Sequence, residues 1–305
     1  MGAPRLTAGV VSAGAVGTAV GEALERAGHR VTGVVARSEA SRGRARLRLP
    51  GARVGDVAAV CSDAELIVLA VPDGALPEVA EEVARHVGPG RIVLHCAGSM
   101  GRAVLDPCAL AGALTIAAHP AMTFTGRPDD ADRLAGCPWG VTAGDDVART
   151  VAELLIGELG GRVVAVPEEL RGLYHAGMAH GANHLAAVVA DAVAMLRVAT
   201  GEGGRPAEAP DRAAALLRPL LEASLDNALR WGSSSLTGPA ARDDAATVLR
   251  HLGDIDRHAP GVAAPYAAMS RRAAELRGSA SVIAALDERS GRGGGAPGVP
   301  GTPPL

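Results

Sequence analysis

Residues 8–17 read AGVVSAGAVG. Val10 and Val11 make a short apolar run, and a turn of small residues follows: Ser12, Ala13, Gly14 and Ala15. Val16 and Gly17 then open a helical pattern. A strand, a tight turn and a helix N-terminus in that order build the site that holds a dinucleotide pyrophosphate. Gly14 lets the backbone approach the phosphates with no Cβ in the way, and Gly17 lets the helix pack closely on the strand. The first helical N–H groups have no partner within the helix and face the anion. The usual fingerprint is G-x-G-x-x-G, and here its first position is Ser12, where the backbone often needs a φ that glycine adopts most easily. A Gly-rich strand-to-helix turn is also common structural punctuation, so the surrounding pattern has to decide.

That pattern alternates strands and helices. Residues 16–27 read as an amphipathic helix that stops at Gly28. The β-branched stretch around Val31, Thr32, Val34 and Val35 reads as a second strand, ending in Arg37 and Ser38 with Arg42 and Arg44 beyond. In a dinucleotide fold an acid at this place binds the ribose 2′-OH of NAD, whereas an arginine accommodates the 2′-phosphate of NADP. Arg37 therefore favours NADP(H) over NAD(H), the alternative being a solvated surface run of arginines. Further strands are expected at 65–73, 91–99, 114–124, 137–144 and 162–167, with helices at 74–87 and 147–161. The near-continuous apolar run of 65–73 suits a parallel sheet covered on both faces. Val71 and Pro72 close that strand, and Ala97, Gly98 and Ser99 close the next, at the carboxyl edge where such sheets bind ligands. The expected fold class is α/β: a doubly wound Rossmann-like domain over 1–167, then an all-helical domain over 168–290. The segment 291–305 is Gly/Pro-rich and reads as a disordered tail.

Composition narrows the function. The chain has 305 residues with 48% apolar, enough for two domains and a large core. Its net charge of −3 gives no reason to expect nucleic acid or an anionic membrane as partner. All 30 basic residues are arginine, which excludes Schiff-base chemistry, a lysine acid and a P-loop. Cys61, Cys96, Cys108 and Cys137 are far apart and form no C-x-x-C; they fit buried thiols in a reducing compartment. No leader pattern and no membrane-spanning run is expected, and the cytoplasm is the expected location.

Seven segments together are similar to a known family: SAGAVG (12–17), VVARS (34–38), LAVPD (69–73), LHCAGS (94–99), AHPAMTF (118–124), LYHAGMAHGANHLAAVV (173–189) and LTGPAARDD (236–244). The chain resembles proteins that join a Rossmann-like domain to the helical domain of unknown function 2520. That group in turn resembles ketopantoate reductases, pyrroline-5-carboxylate reductases and β-hydroxyacid dehydrogenases. The resemblance implies a nicotinamide cofactor, a helical domain that shapes the active site, hydride transfer in a cleft between domains, and a homodimer. It implies a reductase of a small 2-oxo acid, ketopantoate first, with an imine of the pyrroline-5-carboxylate type as the alternative. A binding protein that senses NADP without turnover is the rival of a different class.

Ketopantoate reductases carry Lys, Asn and Asn at i, i+4 and i+8 of the helix equivalent to 168–200. Here that register reads His175, Ala179 and Asn183, within about 80° of one another on a uniform helix. His175 is the expected proton donor in place of lysine, and Asn183 is expected to orient the substrate or hold the carboxamide of the nicotinamide. The alternative is two polar groups satisfied inside a helical core. His180, His184 and Asp191 fall within about 40° on the opposite face, but no third ligand is identifiable at short range, so no metal is expected. His119, before Pro120, ends a strand at the catalytic edge and either touches substrate or holds the turn. Ser99 is expected to donate to cofactor or substrate. Thr237 and Arg242 are expected to bind a substrate carboxylate, while acids at 243–244 also suit plain helix capping.

Overall fold

The computed structural model describes residues 5–202 and 212–292. The chain divides into two compact units, Met1–Gly181 and Ala182–Leu305. The first contains a sheet of eight strands: β1 (Thr7–Val11), β2 (Arg30–Val35), β3 (Arg53–Gly55), β4 (Leu66–Leu69), β5 (Ile92–His95), β6 (Leu114–Pro120), β7 (Pro138–Ala143) and β8 (Arg162–Ala165). Their order across the sheet is β3-β2-β1-β4-β5-β6-β7-β8. The helices of this unit are α1 (Ala15–Arg26), α2 (Glu39–Arg48), α3 (Val57–Ser62), α4 (Leu76–Ala84), α5 (Asp106–Leu110), α6 (Asp130–Arg133), α7 (Asp146–Glu158) and α8 (Arg171–Ala179). The chain builds outward from β1 in one direction, then returns to lay β4 on its other side. The carboxyl ends of β1 and β4 therefore flank the point where strand order reverses, the crevice in which doubly wound sheets bind ligands.

The core follows from the sequence. Val10, Val34, Leu66, Val68, Leu94 and Ile116 are buried on one face of the sheet with Val20 and Leu24 of α1. Val11, Val35, Ile67, Leu69 and Val93 pack on the other face with Val79 and Val83 of α4. Both faces are covered, which explains why the strands lack polar alternation. All four cysteines are buried and free. Burial pushes the thiols of Cys61 and Cys96 up to about 12 and that of Cys108 up to about 11, so they stay protonated and inert.

Two features of the sheet go beyond the sequence reading. β3 is an added strand, only three residues long and paired with β2. β6 and β7 pair antiparallel, with His119 opposite Gly140, whereas the remaining neighbours are parallel. The β6–β7 connection leaves and re-enters at the same edge, so the expected strand 114–124 ends at Pro120 and a loop carries the rest.

The expected long helix over 168–200 is a composite. A 3₁₀ turn (Glu168–Leu170) leads into α8, then a π-helical turn spans His180–His184, and α9 runs over Leu185–Ala199. Winding by i→i+5 is looser than the 100° per residue assumed for the His175–Ala179–Asn183 and His180–His184–Asp191 registers, so neither alignment carries through unchanged. The run Glu168–Ala199 is long and apolar enough to cross a membrane by length and composition alone. This corrects the expectation of no such run: residues 172–190 contain no Asp, Glu or Arg.

The second unit continues with α10 (Arg212–Trp231), α11 (Ala245–His258), α12 (Ala263–Arg277) and α13 (Ala280–Arg292). No strand occurs among its described residues. Its core joins Val248 and Leu252 of α11, Ala274 of α12, and Val282 and Leu286 of α13. Gly278 ends α12 at φ 73, a conformation open to glycine at little cost. Of the tail expected over 291–305, residues 293–305 lie outside the described residues.

Candidate active site

The fingerprint turn adopts the geometry its spacing demands. Ser12 sits at φ 90, the positive region that a glycine would occupy without strain. A Cβ at Gly17 would overlap the Ser12 carbonyl oxygen and come within 3.1 Å of Val10 Cγ1 and 3.2 Å of Ala70 Cβ. Gly17 is therefore required by close packing of α1 on β1 and the β4 end. A Cβ at Gly14 would meet only Ser12 Oγ, at 3.6 Å, so packing does not demand this glycine and the open space above it is left for a ligand. Gly14 is the N-cap of α1, no side chain caps this end, and its first turn carries no acid. The result is an uncapped helix N-terminus at a strand-order reversal, a fit for a pyrophosphate. Ala13, Ala15 and Val16 line the same turn. Arg44, on α2, braces it by donating from Nε to the Ala13 carbonyl at 3.0 Å, a role hidden in the sequence within a run of arginines.

Arg37 lies just past β2, exposed, and among the described residues its side chain has no hydrogen bond or ion pair. Ser38 is the N-cap of α2, and its Oγ accepts from the Ser41 N–H at 3.1 Å. Val71 is half-buried and Pro72 exposed beyond β4, while Ala97 and Gly98 are buried beyond β5.

At the β5–β6 edge the structure gathers a cluster. His119 and His175 rings approach edge to face with centroids 6.3 Å apart. A Cβ on Gly98 would fall 2.6 Å from His175 Cδ2 and 3.1 Å from His119 Nε2, so the smallness of Gly98 is what admits both rings. Ser99 Oγ donates to Asp73, which starts the 3₁₀ turn after Pro72. His119 Nδ1 lies 2.9 Å from the Tyr174 hydroxyl. Behind them His95 is fully buried. Its Nδ1 accepts from the Ala97 N–H at 3.1 Å, so Nε2 carries the proton and donates to the Gly101 carbonyl at 2.8 Å. Burial lowers both His95 and His119 to about 4, and His175 and Arg171 add to the effect at His119.

Arg171 fastens α8 to the sheet. Its Nε donates to Thr142 Oγ1 at 2.7 Å, and one terminal nitrogen donates to the carbonyls of Ala117 at 2.9 Å and Gly140 at 3.1 Å. Glu168 adds a second tether by accepting from the Arg102 and Ala103 N–H groups at 2.8 and 3.1 Å. These contacts set Tyr174 and His175 against the β5 and β6 ends. Sequence reasoning reached His119, His175, Ser99 and Gly98 but missed Asp73, His95, Arg171 and Tyr174. For Asp73 and His95 a polar residue at a strand end was the available signal, whereas Arg171 and Tyr174, on α8, offered none of that kind.

Asn183, Thr237 and Arg242 belong to the second unit. Asn183 is exposed within the π-helical turn. Arg242 donates to the Thr237 carbonyl, which joins these two residues. The neighbouring acids are caps: Asp244 accepts from the Thr247 N–H at 3.0 Å, and Asp243 accepts from the Val282 N–H at 3.0 Å and Ser281 Oγ at 2.8 Å. Among the described residues no group of three His, Cys, Asp or Glu is placed to hold a metal.

An open glycine turn at a strand-order reversal, with a polar cluster along the same sheet edge, places the chain in the class of Rossmann-like proteins. Its family is shown by two models: a Rossmann-like domain over residues 1–120 and a domain of unknown function 2520 over residues 137–273. The chain belongs to the family that joins these two domains. No curated protein matches it in sequence. Among solved structures it is similar to a candidate NADP oxidoreductase from Bacteroides fragilis, at 22% identity, TM-score 0.72, covering 89% of this chain and 98% of that one. It is also similar to an imine reductase from Myxococcus stipitatus in complex with NADP+, at 18% identity, TM-score 0.66, covering 93% and 99%. A third is the pyrroline carboxylate reductase of Plasmodium falciparum with NADP bound, at 10% identity, TM-score 0.55, covering 90% and 100%. At such identities the likeness is one of fold.

Proposed function

We propose that this protein is an NADPH-dependent reductase of a C=O or C=N bond in a small molecule. The observation that carries the reading is the sheet edge itself: one edge of one unit holds both an uncapped helix N-terminus and the Ser99–His119–His175 cluster. The names of the similar structures, which bind NADP and include reductases, support it. Ser12–Gly17 would hold the pyrophosphate, and Arg37 and Ser38 the ribose phosphate. Val71, Pro72, Ala97 and Gly98 would line the remainder of the dinucleotide site. The cofactor supplies the hydride when bound. The chain's own residues hold the acceptor and deliver a proton: His119 and His175 present ring nitrogens, and Ser99 presents a hydroxyl. Asn183, Thr237 and Arg242 are assigned to substrate contact.

Ketopantoate is the first 2-oxo acid to test. Imine reduction is the second reading, favoured by Asp73. Its half-buried carboxylate, hydrogen-bonded by Ser99, would favour a C=N nitrogen that takes up a proton and becomes positive. Fluorescence titration with NADPH and NADH, followed by loss of nicotinamide absorbance with ketopantoate and with 1-pyrroline-5-carboxylate, tests all of this. NADPH is expected to bind tighter than NADH. Equal binding of the two would overturn the Arg37 assignment, and tight binding without oxidation by any acceptor would favour the sensor.

A homodimer is part of the same reading. Leu185, Val188 and Val198 of α9 and Leu216, Leu220, Leu225 and Leu229 of α10 are exposed. A second copy offers the same apolar surface, so one isologous contact covers both. Light scattering should give twice the 30.5 kDa chain mass.

A further inference from the structure

Tyr174 and Arg171 have no part in the reading so far, yet both are built into the cluster. Tyr174 lodges its hydroxyl against the sheet where β7 passes, with Tyr174 Oη 2.5 Å from where a Cβ on Gly140 would stand. Gly140 is the hydroxyl's neighbour on β7, and its other neighbour is His119 Nδ1, at 2.9 Å. A phenol is a better donor than a neutral imidazole and the imidazole nitrogen a better acceptor, so Tyr174 O–H donates to Nδ1. His119 is thereby held with its proton on Nε2, the nitrogen beside Gly98.

Arg171 supplies the other half. It is 2% exposed, and its hydrogen bonds among the described residues go to the neutral acceptors Thr142, Ala117 and Gly140. Its second terminal nitrogen has no partner among the described residues. Its guanidinium carbon lies 5.7 Å from the centre of the Tyr174 ring. A buried cation with no carboxylate bonded to it is costly, and it is well placed if a negative charge forms beside it during the working cycle.

We infer that Tyr174 and His119 form a proton relay: His119 Nε2–H gives its proton to the substrate oxygen or nitrogen, and the Tyr174 hydroxyl refills Nδ1. This rests on the reductase reading. As hydride from NADPH reaches the substrate carbon, the electron pair of the double bond moves onto the oxygen or nitrogen, which takes the Nε2 proton. The N–H bond breaks at Nε2 and forms at Nδ1, the O–H bond of Tyr174 breaks, and the phenolate stays beside Arg171 until water reprotonates it. His119 is the catalytic residue of the pair and Tyr174 the residue that positions and recharges it. His119, lowered to about 4 by burial, is neutral at pH 7, so it cannot act as an imidazolium and needs the second proton source. The charged and titratable groups around the pair are Asp73 after β4, His95 of β5, Cys137 before β7, and Glu168, Arg171 and His175 on or before α8.

Nitrogen NMR of the full chain labelled with ¹⁵N-histidine, with a His119→Gln variant to assign the signal, tests the pair without turnover. At pH 7 the expected state is His119 protonated on Nε2 with Nδ1 a hydrogen-bonded acceptor, and Tyr174→Phe should remove that hydrogen-bond shift. A proton found on Nδ1 in the parent protein, or a shift unmoved by Tyr174→Phe, overturns the relay. The second arm is NADPH-dependent reduction of ketopantoate and 1-pyrroline-5-carboxylate between pH 6 and 8. Tyr174→Phe should lower kcat about 100-fold at pH 8, leave NADPH affinity unchanged, and turn a flat profile into one rising about tenfold per unit of acidification. Only protonated His119 can then donate. A uniform loss at every pH with the profile unchanged makes Tyr174 structural and refutes the relay. Absence of NADPH binding refutes the reductase reading, while the NMR result still judges the pair.

Discussion

Replacing Ser12 by glycine should stabilise the first unit. Ser12 carries a Cβ at φ 90, a conformation that costs a residue with a side chain on the order of 1–3 kcal/mol. The backbone has little freedom to relax it. The Ala13 N–H is fixed to the Val35 carbonyl at 3.0 Å, and the Ala70 N–H to the Val11 carbonyl at 3.0 Å. Among the described residues the Ser12 hydroxyl makes no hydrogen bond, so glycine removes no bonded partner. Against the relief stands the greater freedom of glycine in the unfolded chain, about 0.5–1 kcal/mol. The balance is a gain of about 1 kcal/mol, or roughly 2–4 °C in Tm for a unit of this size. Thermal unfolding followed by the fluorescence of buried Trp139, in a Trp231→Phe background so that the first unit alone reports, measures it. A Ser12→Gly protein that melts at or below the parent temperature would show that the positive φ stores no strain.

Gly17→Ala should act oppositely, losing about 3 kcal/mol or more because its methyl group meets backbone rather than a movable side chain; the same melting curve reads it. Gly98→Ala should leave Tm within a few degrees but displace the His119 and His175 rings, lowering kcat about tenfold or more with NADPH affinity less affected, and unchanged kinetics would break the link between Gly98 and those rings. Stability should fall on acidification from pH 6.5 to 4: folded His95 stays neutral to about 4 whereas an unfolded histidine protonates near 6.5, so the unfolded chain binds the extra proton in that window, a loss of about 3 kcal/mol. Urea titrations at pH 7 and 4.5 check this, and His95→Gln should shrink the difference between them.

The parts of this molecule that could be read from the sequence are those where one backbone requirement picks one residue type. Gly17 is readable because helix and strand touch there, a local requirement that leaves a glycine at a predictable place, whereas Gly98 was readable only as a small residue at a ligand-binding strand end, and the two rings that need its space were not. Ser12 was readable for the inverse reason, as the wrong residue type at a position whose φ was known in advance. Arg171 and Tyr174 obey a different logic. Their partners, Ala117, Gly140 and Thr142, lie on β6 and β7 and come together only through the antiparallel pairing that sets His119 opposite Gly140. Nothing in a βαβ pattern announces that reversal, since a 17-residue connection over 121–137 suits either direction. The π-helical turn was hidden for a similar reason, because a sequence period is counted at 100° per residue and one looser turn leaves no residue out of place. What a glycine motif locates is thus the cofactor's end of the sheet edge, whereas the proton's end is assembled from residues on separate elements, such as His119 and Tyr174, 55 positions apart in the chain. Its chemistry becomes visible only when the pairing of β7 is known.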